Sequence, residues 1–174
     1  ALSLASLVAP FRIVRAIPGL GRMAAACIGF AVVQGAVNAF TVSYLNAGLG
    51  LSLELAGLMF AVQQGASVAG RILLGPLADW LGSPRPVLIA LAWGSALAAT
   101  LMGSLSPGWP LPVLVGCSFL IGFTVSTWNG LYLAEVANLA PPARVSEATA
   151  ATTFFVFMTY MATPPLTGLA IQRF

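Results

Sequence analysis

The stretch Arg71-Ile72-Leu73-Leu74-Gly75-Pro76-Leu77-Ala78-Asp79-Trp80-Leu81-Gly82-Ser83-Pro84-Arg85 gathers three charges between two long apolar runs. Gly82 and Pro84 break helices, so residues 81–85 read as a tight connection between two of them. A charge inside an apolar run is costly and marks a place where mechanism sits.

The rest of the chain shows how unusual those charges are. Of its 174 residues, 59% are hydrophobic and only 6% are charged. A soluble domain carries about 25% charged residues, and so few charges could not cover a soluble surface. The apolar residues come in runs of about twenty, the length that crosses a bilayer. The composition therefore predicts an integral membrane protein, an all-α polytopic bundle of transmembrane helices.

Seven basic residues, all arginine, face four acids, and there is no histidine. A net charge of +3 is too small to point to nucleic acid. Cys27 and Cys117 both lie inside apolar runs, where cysteine serves as a small packing residue. With no histidine and no cysteine cluster, neither a zinc nor a haem site is expected. An embedded hydrolase would need a histidine or an acid pair beside a nucleophile. No enzyme, no metal and no cofactor is expected. No cleavable signal peptide is visible, because no positive region precedes the first apolar stretch.

Five spans follow from the runs and their breakers. Residues 1–19 mix Arg12 and Arg15 with apolar residues, and read as a cytoplasmic linker with a short helix at the membrane surface. Span one covers about 22–46, with Gln34 and Asn38 four apart on one face. Span two covers about 52–80, started by Ser52 as a cap and Glu54 in the first turn. It carries Gln63, Gln64, Ser67 and Arg71. Span three, about 86–104, has no polar face and reads as lipid-facing. Span four covers about 111–137, with Trp128, Tyr132 and Glu135 on one face and Asn129 beside them. Span five covers about 146–171, and Pro164-Pro165 is expected to kink or interrupt it. Arg12, Arg15, Arg22, Arg71, Arg85 and Arg144 fall on one side and only Arg173 on the other. The positive-inside bias then puts residue 1 in the cytoplasm and the protein in the plasma (cytoplasmic, inner) membrane.

Gly75-x3-Asp79-x2-Gly82-x2-Arg85 resembles the signature loop of the major facilitator superfamily, Gly-x-x-x-Asp-basic-x-Gly-x-basic-basic. In that family the loop joins the second and third helices of each six-helix half on the cytoplasmic side. The Arg71-x3-Gly75 prefix, the stretch Trp128-Asn129-Gly130-Leu131-Tyr132-Leu133-Ala134-Glu135, and the following Pro141-Pro142-x-Arg144 and Glu147-Ala148-Thr149 are similar to the same family. Trp80 and Pro84 depart from its basic positions, as in the weaker copy of the C-terminal half. The resemblance covers nearly the whole chain and implies helices seven to eleven. Residues 1–19 would end the central loop, and 20–174 would be the C-terminal transporter half, a fragment truncated before the last helix. The N-terminal half would be its partner, alongside a small-molecule substrate and the lipid bilayer.

What the resemblance implies is a secondary transporter, symporter or antiporter, that exposes a central site to either side in turn. Gly75, Asp79, Gly82 and Arg85 would form the gating motif, with Asp79 bonding a helix N-terminus in the opposite half. Arg71 lies about 12 Å deeper than Asp79 along a helix. Two readings of it stay open: a gate network with Asp79, Glu135 and Arg144, or a contact to a substrate carboxylate through its bidentate fork. The monocarboxylate branch carries an arginine at a similar place. Gln34, Asn38, Gln63, Trp128, Asn129 and Tyr132 are the other substrate-binding candidates, in three spans that line the cavity in this family. The leading expectation is transport of small organic solutes, organic anions or monocarboxylates among them. The alternative is drug or multidrug efflux, which Phe154, Phe155 and Phe157 would suit.

Overall fold

The computed structural model describes residues 4–171 and 173, with side chains from Val8 onward. Residues 1–3 of the expected linker, and Gln172 and Phe174 of the tail, lie outside the described residues. The chain forms α1 (Leu4–Ala16), α2 (Leu20–Ser43), α3 (Leu53–Trp80), α4 (Pro84–Gly103), α5 (Leu111–Val125), α6 (Trp128–Leu139) and α7 (Val145–Ile171). A π-helical turn, Tyr44–Gly48, continues α2, and a 3₁₀ turn, Pro142–Arg144, leads into α7. No strand occurs among the described residues, so the all-α expectation holds.

Local signals explain the boundaries. Ser52 is extended and its Oγ accepts from the Leu55 N–H at 3.2 Å, capping α3 as its sequence foretells. Ser83 does the same for α4, accepting from Arg85, with Pro84 at the first helical position. Stretches 20–48, 84–103, 111–139 and 142–171 are long and apolar enough to cross a bilayer. At 28 residues α3 is also long enough. Yet every eighteen-residue stretch of it holds both Gln63 and Gln64, which lowers its mean hydropathy.

The chain divides into two units, residues 1–35 with 132–174, and residues 36–131. In the second, α3, α4 and α5 pack on one another. Leu45, Leu49, Ala56, Met59, Leu105 and Leu114 form a buried cluster at one end. There the Tyr44 hydroxyl donates to the Met102 carbonyl at 2.9 Å. That carbonyl, in the last turn of α4, also accepts from the Leu105 N–H at 3.3 Å. Val87, Leu91 and Ala98 of α4 are buried, whereas Ile89, Trp93 and Leu97 are exposed. The exposed stripe is apolar.

In the first unit α1 is a helix of 13 residues, longer than the short surface helix expected within 1–19. It packs on α7, with the Phe11 ring edge-on to Phe155 at 4.9 Å and to Phe154 at 6.5 Å. The helix α7 runs unbroken through Pro164 and Pro165. Those prolines remove the N–H partners of the Tyr160 and Met161 carbonyls. Thr163 Oγ1 donates to the Thr159 carbonyl at 2.8 Å in the same turn, as threonine does in apolar helices.

Candidate functional site

The turn at 79–85 is built by a glycine cap. Gly82 has φ +68°, a left-handed backbone that only glycine adopts freely. Its N–H donates to the Asp79 carbonyl at 3.0 Å and the Ser83 N–H to the Ala78 carbonyl at 3.1 Å. These two bonds are the Schellman pattern, which closes the end of α3 and turns the chain directly into α4. Asp79 sits exposed in the last turn of α3, the negative end of the helix dipole. A carboxylate is disfavoured there unless it meets a cation or a helix N-terminus elsewhere. Replacing Gly82 by alanine should cost about 1 kcal/mol for the left-handed backbone, read as a lower unfolding temperature. An unchanged unfolding temperature would mean that the turn relaxes without cost.

The second feature is a break that the sequence does not announce. Where one continuous fourth span is expected, α5 ends at Val125 and α6 begins at Trp128. Ser126 leaves the helix with φ −110° and ψ 3°. Its carbonyl accepts from Ser67 Oγ at 3.1 Å and from Arg71 Nη2 at 3.2 Å. In a continuous helix that carbonyl would take the N–H of Gly130. Two donors from α3, one of them charged, replace that bond. A hydrogen bond to a charged group is worth about 1.5–3 kcal/mol. Thr127 Oγ1 turns back to the Phe123 carbonyl at 2.6 Å, offering the backbone a further alternative to the ladder.

Close contact between α3 and α5 sets this geometry. Gly122 lies against the Gln63 main chain, and Gly70 lies against Thr127 and Phe123. Residues 63, 67 and 70 thus meet 122, 126 and 127 in the same order, so the two helices run parallel. Gln63 is fully buried between them, and neither amide atom finds a hydrogen-bond partner among the described residues. Ser126 Oγ is buried and unpartnered as well.

The second unit thus joins Gln63, Arg71, Trp128 and Asn129 of the expected substrate set around one broken helix. Trp128 is fully buried and Asn129 half-buried. The same unit carries Asn38, whose Oδ1 is buried without a partner. Gln34 and Asn38 share a face of α2 but belong to different units. Tyr132 belongs to the first unit, its hydroxyl 2.9 Å from Thr153 Oγ1 and 3.3 Å from Thr152 Oγ1. Glu135 is buried there. Arg144 Nε donates to Glu147 Oε2 at 3.1 Å, a local pair one turn apart. Of the gate network considered for Arg71, Asp79 shares its unit, whereas Glu135 and Arg144 do not. Ser67, Ser126 and Thr127 join Gln63, Arg71, Trp128 and Asn129 at the break, although none of the three belongs to the expected substrate set. The adjacent Ser126-Thr127 in an apolar run was the available signal.

Cys27 is buried and Cys117 partly buried, both as free thiols. Among the described residues no cluster of histidine, cysteine and acids could hold a metal. No curated protein and no solved structure gives a significant match. The family model of the Major Facilitator Superfamily matches residues 4–174. With its apolar helices, the chain belongs to the major facilitator superfamily, a family of membrane transporters.

Proposed function

We propose that the chain supplies the C-terminal-half helices of a secondary transporter for small organic anions, in the manner of the monocarboxylate branch. It works with an N-terminal half, by alternating access. The observation that carries this reading is Arg71 of α3, bonded to the Ser126 carbonyl where the fourth span breaks. Its guanidinium uses one nitrogen on the Ser126 carbonyl and keeps further N–H donors for a carboxylate. The N-terminus of α6 begins two residues later and favours negative charge. Discontinuous helices whose ends face the substrate are a recurring transporter device. Gly75, Asp79, Gly82 and Arg85 act as the conformational hinge on the cytoplasmic face, with residue 1 on that side and the protein in the plasma membrane. Drug efflux draws less support, because Phe154 and Phe155 are engaged by Phe11.

Cysteine protection tests the site. In the full-length transporter with Cys27 and Cys117 replaced by alanine, Asn129→Cys is labelled with a maleimide in membranes. A small monocarboxylate such as lactate should slow labelling, and an uncharged amide of the same size should not. Equal labelling in the presence and absence of carboxylates overturns the anion assignment.

A further inference from the structure

We propose that the turn joining α1 to α2 binds the headgroup phosphate of an anionic phospholipid through Arg12, Arg15 and Arg22. The first observation is a charge imbalance. The first unit holds five arginines against two glutamates, and the second holds two arginines against two acids. The whole net charge of +3 therefore lies in the first unit. Of its two glutamates, Glu147 is paired with Arg144 and Glu135 is buried. No acid precedes Glu54 in the chain.

Placement is the second observation. Arg12 and Arg15 are exposed and three residues apart, on neighbouring positions of α1. Arg22 is exposed in the first turn of α2. Ile17 and Leu20 are buried in the turn between, and Gly21 lies against Val14 of α1. The first turn of α2 thus packs on the last turn of α1 and brings the arginines to one locality. Arg22 stands at the positive end of its helix dipole, where a cation is disfavoured and an anion is favoured. A phosphate answers both the dipole and the three guanidinium groups.

The third observation distinguishes a lipid from a soluble anion. Val8 and Phe11 are 61% and 49% exposed on the same helix. An apolar surface next to a basic one is how a helix lies at a bilayer interface. Juxtamembrane arginines draw anionic headgroups with about 1 kcal/mol each, or roughly fivefold in affinity per charge.

The experiment uses the full-length transporter, purified in a neutral detergent and titrated with phosphatidylglycerol or phosphatidylcholine. Retained lipid is counted by native mass spectrometry. Wild type should retain phosphatidylglycerol in preference to phosphatidylcholine. The R12Q/R15Q/R22Q protein should lose that preference, with affinity falling on the order of a hundredfold. The R173Q protein, which loses a single charge as R15Q does but far from this turn in the sequence, should behave as wild type. If the triple variant retains phosphatidylglycerol as wild type does, the proposal is overturned. It is equally overturned if inorganic phosphate or soluble glycerophosphoglycerol displaces the lipid at equal concentration, since the site would then take any anion. Should the triple variant fold poorly, R15Q alone must show about a fivefold loss, and an undiminished preference there rejects the site.

Discussion

Gly122→Ala should be among the most damaging single-methyl additions to this chain. The added Cβ would occupy the space of the Gln63 carbonyl oxygen and crowd the Gln63 main chain. No flexible side chain can swing aside, so α3 and α5 would have to separate. Overpacking of this kind costs about 3 kcal/mol at the upper end of its usual range. Separation would also stretch the bonds from Ser67 and Arg71 to Ser126. The check is thermal unfolding of the purified protein, with Gly116→Ala as the internal reference. Gly116 lies in the same helix and an added Cβ there would meet open space. Its alanine variant should gain about 1 kcal/mol from helix propensity alone. Opposite shifts for the two variants are expected. Equal stability for both would show that the helices do not approach so closely at Gln63.

Arg71→Ala should abolish anion transport while leaving the protein folded. The Ser126 carbonyl keeps its bond from Ser67, so the break retains one of its two donors. What disappears is the charge and the planar fork that can meet a carboxylate. Loss of a charged hydrogen bond to substrate costs about 2–5 kcal/mol, or roughly 30-fold to several thousandfold in affinity. Arg71→Lys is the discriminating variant. Lysine keeps the charge but cannot hold Ser126 and a bidentate carboxylate together. Uptake of a labelled monocarboxylate into proteoliposomes should be lost in Arg71→Ala and much reduced in Arg71→Lys. Full uptake by Arg71→Ala would remove carboxylate recognition from Arg71 and return it to the gate reading.

The two variants separate what could be read in the sequence from what could not. The hinge was legible because each residue has a local reason to be there. Gly82 and Pro84 are breakers, and Arg71 and Asp79 stand out in apolar surroundings, although α4 already opens at Pro84 under a Ser83 cap rather than near residue 86. That α4 lacks a polar face was legible too, but not which of its apolar sides stays uncovered, since Ile89, Trp93 and Leu97 look like their buried neighbours in sequence. The break at Ser126 was not legible, because its cause is not local. Ser126 leaves the helix while its carbonyl is held by Ser67 and Arg71, more than fifty positions away in the chain. Hydropathy sees one apolar run from 111 to 139. The packing of α1 on α7 was hidden likewise, since Phe11 and Phe155 reveal a contact only once folded.

The Tyr44 clasp gives the second unit a lever arm. The hydroxyl holds Met102 at one end of α4, and the Asp79–Arg85 hinge lies at the other. Twenty residues separate helix start from helix end, about 30 Å of rigid rod. A tilt of about 5° around the clasped end would carry the hinge through roughly 3 Å. That is about the length of one hydrogen bond.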